Sequence, residues 1–385
     1  MTKRIIFRTD DVTQSLSSVV SVVNQKNAMP ILATVAICTK NEVNADGSLD
    51  MVLMASDGDI WARKEVRIDG ESDKGVSMCL DARSFLQSIQ SLPNTVLSVE
   101  ADTEKHIATC SYVNGKFSLP YYETDAYPKP SRVDTEKSFS HTVDAQILLK
   151  AIDKVSFAVG NDPIYIILNG VHLEFGDSKV IAVATDKRRF AKFESKNDNA
   201  DEHTDSVNLP QKPCKVLSLI LQEGESETVD VSSDGSIAVF SAGGFRLTTR
   251  LPEGNYVDYQ RLIQNSYTKS ADVDRDSLMN AVKRVSLMGS SSELVAVSLG
   301  NCTCTVEGED LDNSKAANES IGCEYSGETF RIGLSSTYMT SVLKSIESPT
   351  VTVLFDEPTK PAFFLEGEDS ESYEYTSMLM PIKFL

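Results

Sequence analysis

Three stretches of similar sequence decide the fold: DARSFLQSIQSL at residues 81–92, DAQILLKAIDKV at 144–155 and DRDSLMNAVKRV at 274–285. Each begins with an aspartate, which favours the N-cap of a helix, and continues with apolar residues at helical spacing. Three further amphipathic segments share that spacing: residues 12–23, 213–221 and 337–346. The six segments follow one another at intervals of about 60 to 70 residues, and this regular spacing indicates duplicated units.

Alternating or β-branched runs separate these helical segments and predict strands, for example at residues 49–55 and 350–355. A longer echo relates residues 47–57 to residues 176–186, which indicates duplication of whole domains. We therefore predict an α+β protein of three tandem repeated domains, each with two helices packed on antiparallel sheets. The predicted domains are residues 1–130, 131–268 and 269–385. Chance similarity among ordinary α+β helices is the alternative.

Composition narrows the class of protein. The 385 residues carry a formal net charge of −19, which disfavours a protein that grips DNA but not one that encloses it. No apolar run is long enough to span a bilayer, and no signal peptide is recognisable at the N-terminus. Seven cysteines without a Cys-x-x-Cys pair suit reduced thiols. These features predict a cytoplasmic protein.

Motifs for chemistry are missing from the sequence. It contains neither a phosphate-binding G-x-x-x-x-G-K-[ST] loop nor G-x-G-x-x-G. The four histidines are isolated from one another, and Cys302 and Cys304 fit half-buried strand positions better than a metal pair. We therefore expect no catalytic residues, no metal site and no cofactor.

Four passages, in order along nearly the whole chain, resemble the bacterial sliding clamp, the beta subunit of DNA polymerase III. They are NAMPIL at 27–32; LNGVHLE at 168–174 with VATDKRRFA at 183–191; RLPEGNYVDYQRL at 250–262; and MLMPIKFL at 378–385. Each is weak alone, but their order, their spacing and the threefold repeat reinforce one another.

The resemblance implies clamp domains that close, as a head-to-tail homodimer, into a pseudo-six-fold ring around duplex DNA. Such a ring confers processivity by tethering the replicative polymerase catalytic subunit, and it contacts DNA without reading sequence. A clamp loader and other clamp-binding proteins of replication and repair are the further partners implied. The alternatives are an α+β repeat scaffold that binds proteins without encircling DNA, and an enzyme whose site is assembled from residues distant in sequence.

By family position, Lys26, Arg83 and Lys212 are the residues implied to face DNA in the lumen. For Lys150 and Lys154, as for Lys344 on the last helix, an ordinary solvated helix face is an equal alternative. Asp162 departs from the polar or basic DNA contact common at its position.

The resemblance also implies a pocket between the second and third domains that takes a short peptide with Leu and Phe anchors. The implied lining is Leu168, Thr185, Lys187, Arg189, Phe190, Val257, Arg261, Leu262, Tyr338, Pro358, Met378, Met380, Pro381 and Ile382. A C-terminal strand that fills its own domain core is the alternative. Lys187 and Arg188 stand where many clamps have Gly and His, Val257 replaces a common Pro, and Ser335 replaces a common Asn.

The dimer interface implied by the resemblance joins Phe117 and Leu119 of the first domain to Leu287 and Met288 of the third. Apolar residues at the ends of strands and helices could equally belong to the core of their own domain.

Overall fold

The computed structural model describes residues 3–68, 71–176, 179–196, 204–224, 226–263, 267–289, 293–310, 312–366 and 372–383. The chain divides into two compact units. The first contains residues 1–146 and 212–251, and the second contains residues 147–211 and 252–385.

The α-helices of the described chain coincide with the amphipathic segments of the sequence. They are α1 (Thr9–Val20), α2 (Ala82–Gln90), α3 (Ala145–Val155), α4 (Gln211–Gln222), α5 (Arg275–Ser286) and α6 (Ser336–Ser345). The predicted N-caps are confirmed for α2 and α5, where Asp81 and Asp274 accept the Ser84 and Ser277 N–H groups, each at 2.8 Å. Helix α1 begins before the apolar pattern does, because Asp10 and Asp11 in its first turn complement the helix dipole.

The strands fill the intervals that alternating sequence predicts. They are β1 (Lys3–Arg8), β2 (Thr34–Val43), β3 (Leu49–Ser56), β4 (Ile60–Ile68), β5 (Ser77–Asp81), β6 (Val96–Asp102), β7 (Ile107–Tyr112), β8 (Gly115–Tyr122), β9 (Phe139–Asp144), β10 (Gly170–Gly176), β11 (Lys179–Thr185), β12 (Arg189–Ser195), β13 (Asp205–Pro210), β14 (Thr228–Ser233), β15 (Ile237–Ala242), β16 (Phe245–Arg250), β17 (Lys269–Asp274), β18 (Leu294–Gly300), β19 (Thr303–Asp310), β20 (Lys315–Glu324), β21 (Phe330–Ser335), β22 (Thr350–Phe355), β23 (Ala362–Glu366) and β24 (Tyr373–Leu379).

Each unit contains one extended antiparallel sheet. The order in the first unit is β1-β6-β7-β8-β5-β2-β3-β4-β16-β15-β14-β9, and in the second β13-β10-β11-β12-β24-β23-β22-β17-β20-β19-β18-β21. Strand β3 shows why one face packs inward, since Leu49, Met51 and Leu53 are fully buried at alternate positions. Helix α1 packs on β3 and β4, and α5 packs on β19 and β20. The predicted α+β class is confirmed.

Strands of the predicted middle domain contribute to both sheets. In the first unit β16 pairs with β4, with Leu247 opposite Ala62. In the second unit β12 pairs with β24, with Phe193 opposite Tyr375. The sheets therefore continue across the predicted domain boundaries, and the second pairing joins the middle domain to the third beside the clefts described next.

Candidate functional site

Two neighbouring clefts open on the second unit. One has a volume of about 300 Å3 and is lined by the loop 160–169 and the turn 186–188. The other has a volume of about 370 Å3 and is lined by Glu293, Ser335 and the tail 380–382. Arg188 and Tyr338 line both clefts, so the two form one site with two compartments.

The turn between β11 and β12 is held by its own hydrogen bonds. The Asp186 carboxylate accepts the backbone N–H groups of Arg188 and Arg189, each at 2.9 Å, and pairs with the Arg189 guanidinium at 2.9 Å. The Thr185 hydroxyl accepts the Lys187 N–H at 3.1 Å and donates to the Arg189 carbonyl at 2.7 Å. Lys187 adopts a left-handed backbone with φ of 73°. The turn therefore presents the exposed side chains of Lys187 and Arg188 to the clefts.

The chain after β24 forms a wall of the second cleft. The Met380 N–H donates to the Arg188 carbonyl and the Ile382 N–H to the Gly333 carbonyl, both at 2.8 Å. The first bond extends the pairing of β24 with β12, and the second holds the tail beside β21, the strand that precedes α6. Met380 remains 41% exposed, so its thioether is available to a ligand. Residues 384 and 385 of the quoted tail lie outside the described part of the chain.

Helix α6 places the aromatic ring shared by the clefts. Ser335 caps the helix by accepting the Tyr338 N–H at 3.3 Å, which fixes the first turn. The Arg189 guanidinium carbon lies 4.7 Å from the centre of the Tyr338 ring, within the range of a cation–π contact. Tyr338 is therefore a pre-positioned apolar surface between the compartments.

A largely buried polar network joins strand β10 to the segment after β16 in the second unit. The Tyr259 hydroxyl donates to Glu174 at 2.7 Å, and His172 Nε2 lies 3.2 Å from the same carboxylate. The His172 ring stacks on Tyr256 with centroids 4.6 Å apart. Burial opposes ionisation of Glu174, but the hydrogen bonds from His172, Tyr259 and Thr204 outweigh it and lower the pKa. The ionised carboxylate thus ties the segment after β16 to strand β10.

Replacing Glu174 by Gln is expected to lower the free energy of unfolding at pH 7 by about 1 kcal/mol. The folded pKa is depressed, so the stabilisation is present above the unfolded pKa and is lost as the pH falls through the folded value. Urea unfolding at pH 7 and near pH 3 measures this, with the exposed Glu374→Gln as control. An equal deficit at both pH values would contradict this role.

The predicted lumen cations differ in their environment. Lys26 and Arg83 are exposed, and within the described ranges neither forms an ion pair. The Lys212 ammonium instead lies 2.5 Å from the Asp57 carboxylate and 2.6 Å from the Val22 carbonyl. Its charge is therefore partly neutralised within the first unit.

Three other helix lysines left open by the sequence are now placed. Lys154 is only 3% exposed and pairs with the half-buried Glu366, and Lys150 pairs with Glu347 at 3.0 Å. Lys344 is exposed. The Lys154 ammonium forms its ion pair inside the second unit, so it is not a solvent-facing cation.

Each unit has a strand with an open edge. Strand β8 pairs with β5 only through Tyr121 and Tyr122, and β20 pairs with β17 only through Cys323 and Glu324. Within the described chain, the remaining outward edges of β8 and β20 carry no further strand. Phe117 and Leu119 lie half-buried on β8, whereas Leu287 and Met288, after α5, are 74% and 42% exposed.

Comparison with known proteins identifies the family. Models of the N-terminal, central and C-terminal domains of the DNA polymerase III beta subunit match residues 3–131, 142–258 and 260–382. The chain belongs to the DNA polymerase III beta subunit family. It has the three tandem clamp domains of that family, as the sequence predicts.

Relatives and solved structures agree with this assignment. The chain is 26% identical to the beta sliding clamp of Caulobacter vibrioides, over 96% of this chain and 97% of that protein. It is 25% identical to the beta sliding clamp of Streptomyces coelicolor, over 86% and 88%. The fold matches the DNA polymerase III subunit beta of Pseudomonas aeruginosa, with TM-score 0.89, 20% identity and full coverage of both chains, and that of Thermotoga maritima, with TM-score 0.88, 21% identity and full coverage.

Family membership makes the chain a DNA sliding clamp that acts with a polymerase, without catalytic activity of its own. The scaffold alternative is not favoured. Across the described residues, no group of three or more His, Cys, Asp or Glu side chains is placed to hold a metal ion. No described helix has the length and apolar character needed to cross a membrane.

The clefts of this clamp contain only part of the predicted pocket. The predicted residues that line them are Leu168, Lys187, Tyr338, Met380, Pro381 and Ile382. Thr185, Phe190 and Met378 are buried and line neither cleft, and Arg189 is half-buried against Tyr338. Four exposed residues line neither cleft, and their role stays a prediction: Val257, Arg261, Leu262 and Pro358.

Several lining residues were missing from the predicted pocket. They are Gly160, Asn161, Asp162, Tyr165, Asn169, Asp186, Arg188, Glu293 and Ser335. Arg188 and Ser335 were visible in the sequence as departures from the family, and Asp186 lies within the quoted passage 183–191. No sequence signal connects Glu293 to the site.

Proposed function

We propose that two copies of the chain close a ring around duplex DNA and that the two clefts tether partners to it. The observation that supports this is the compound cleft, in which Arg188 and Tyr338 connect two compartments beside the family's C-terminal tail. The parts of β8 and β20 that lack a second partner strand within the described chain offer edges at which another copy can pair.

The clefts suit an extended peptide with two apolar anchors. Leu168 provides an apolar wall in the first compartment, and Met380, Pro381 and Ile382 provide one in the second. An unbranched thioether such as Met380 can repack around different side chains, which suits a site shared by several partners. We assign it to the polymerase catalytic subunit, the clamp loader and other replication and repair proteins with such a peptide.

A ring that encloses DNA can function despite the net negative charge of the chain. A net charge of −19 opposes a tight grip, whereas topological linkage requires only a few cations toward the phosphates. Lys26 and Arg83 are the candidates with free charge, and Lys212, paired with Asp57, contributes less attraction. Binding through such contacts does not depend on base sequence.

Ring closure would join one copy's β8 edge to the other copy's β20 edge. Each strand pairs on one side along its length but on the other through only two residues in the described chain, so a second strand can complete the pairing. Phe117 and Leu119 would then meet Leu287 and Met288. The proposal also places the protein in the cytoplasm, where reduced thiols suit its cysteines.

Retention on DNA tests the ring. The protein is loaded on nicked circular DNA by a clamp loader with ATP, and retention is measured at high salt before and after linearisation. We expect retention on the circle and loss from the linear form, because salt removes electrostatic binding but not topological linkage. Loss from both forms, while a control clamp is retained, would favour the scaffold.

A further inference from the structure

Two cysteines stand opposite each other at the base of the β19–β20 hairpin. The strand pairing sets Thr303 against Gly322, so Cys302, one residue earlier, faces Cys323, one residue later. The Cys323 N–H donates to the Cys302 carbonyl at 3.0 Å, as this register requires. Both residues are reduced thiols.

This register brings the two backbones within reach of a disulfide. Residues directly opposite in an antiparallel pair have Cα atoms about 4.5–5.5 Å apart, and a disulfide spans about 4.4–6.8 Å between Cα atoms. Cys304 pairs with Ile321 and so lies only diagonally from Cys323, at a typical separation of about 7–8 Å. Cys38 and Cys79, on β2 and β5, are diagonal in the same way. The facing pair is therefore the one best placed to be bridged.

Cys302 occupies a turn position that ordinarily suits glycine. Gly300 pairs with Thr303, so Asn301 and Cys302 form the two-residue turn between β18 and β19, with φ values of 50° and 58°. Positive φ at both positions is the type I′ turn, whose preferred sequence is Asn-Gly. A cysteine here departs from the local preference, and such departures concentrate at functional positions.

The two thiols differ in their access to solvent. Cys302 is exposed, whereas Cys323 is half-buried. Burial raises the pKa of the Cys323 thiol, and the nearby Cys302 thiol adds to the rise. Cys302 is therefore the thiol that a dissolved oxidant reaches first, and Cys323 is the thiol that follows.

We propose that Cys302 and Cys323 form a reversible disulfide when the protein meets a low-molecular-weight disulfide such as oxidised glutathione. The Cys302 thiolate attacks one sulfur of the reagent, which forms a mixed disulfide and releases one glutathione thiol. The Cys323 thiol then loses its proton and attacks the Cys302 sulfur, which releases the second glutathione. Two protein thiols are oxidised, and the reagent disulfide is reduced to two thiols. In a reducing compartment such a bond is transient and reports oxidation.

The bond would fix a junction of three strands. Cys323 also pairs with Val273, so β17 joins β20 at the same residue that would be linked to the start of β19. The link closes a loop of residues 302–323, which lowers the conformational freedom of the unfolded chain. We therefore expect the oxidised protein to melt about 5 °C above the reduced protein.

Oxidation of the full, folded chain tests this. The protein is incubated with oxidised glutathione, the remaining thiols are alkylated, and the digested peptides are mapped by mass spectrometry. We expect a cross-link between Cys302 and Cys323 that dithiothreitol reverses, together with the rise in melting temperature. In Cys323→Ser, glutathione should stay on Cys302, whereas the native chain should retain less than about one-tenth of that adduct, because the facing thiol displaces it.

Cys304→Ala is the matched control, since it removes the buried diagonal thiol and should keep the cross-link. Cys302→Gly should abolish the cross-link without lowering the melting temperature of the reduced protein, because glycine suits the φ of 58°. A glutathione adduct that persists on Cys302 of the native chain overturns the inference. So does a cross-link that forms only in urea, one that joins Cys304 instead, or alkylation of both thiols after the oxidant.

Discussion

Replacing Leu287 and Met288 together by aspartate is expected to yield a monomer that leaves circular DNA as fast as linear DNA. The side chains are 74% and 42% exposed, so the substitutions should leave the fold of the chain intact. In a closed ring they would be buried, and two unpaired carboxylates in an apolar interface would oppose association strongly. Helix α5, which precedes them, packs against the open-edged strand β20.

Sedimentation of the variant measures its mass, and the circular-DNA assay measures its retention. The matched control replaces Val43 and Val96, which are 36% and 46% exposed on the first unit, by aspartate. We expect the control to remain a dimer that loads and is retained. A dimeric Leu287→Asp, Met288→Asp variant would show that the interface lies elsewhere.

The helices were predictable because their signal is local. A buried stripe repeats every three to four residues, so α2 and α5 could be read with their aspartate caps. The first turn of α1 has no apolar stripe and was therefore missed. Strand pairing across the predicted domain boundaries, such as β12 with β24, joins residues far apart in sequence and gives no local pattern.

The pocket was predictable only where its residues lie in continuous motifs. Leu168 and Met380 belong to such passages, whereas Tyr165 and Glu293 reach the clefts from loops with no periodicity. The motifs also could not distinguish residues that line the clefts from residues that are buried in the core. Phe190, for example, alternates inward on β12 and is fully buried.

The ion pairs of the basic helix residues could not be predicted from the sequence either. Lys154 lies on an amphipathic helix and looks solvated in the sequence, yet it pairs with Glu366 on a distant strand. Lys212 likewise finds Asp57 far back in the chain. A lone basic residue on a helix therefore predicts a free cation poorly, since partners separated by many residues are invisible to periodicity.

Replacing Tyr338 and Met380 together by alanine is expected to weaken peptide binding at least about 100-fold. Tyr338 is the only aromatic residue of the described chain that lines both compartments, and the exposed Met380 supplies the adaptable wall of the second. Truncation of a central aromatic anchor typically costs 2 kcal/mol or more, about 30-fold in affinity, before the loss of the methionine is added.

Anisotropy with the Leu- and Phe-anchored peptide measures this loss, and sedimentation checks that the dimer persists. Tyr338→Phe keeps the ring beside Arg189 and should bind almost normally, while Met29→Ala removes a comparably exposed methionine of the first unit. Full affinity of the double alanine variant would show that the peptide binds outside these clefts. Because loading and polymerase tethering are assigned to the same clefts, the variant should lose both activities together, even though its β8 and β20 edges are unchanged.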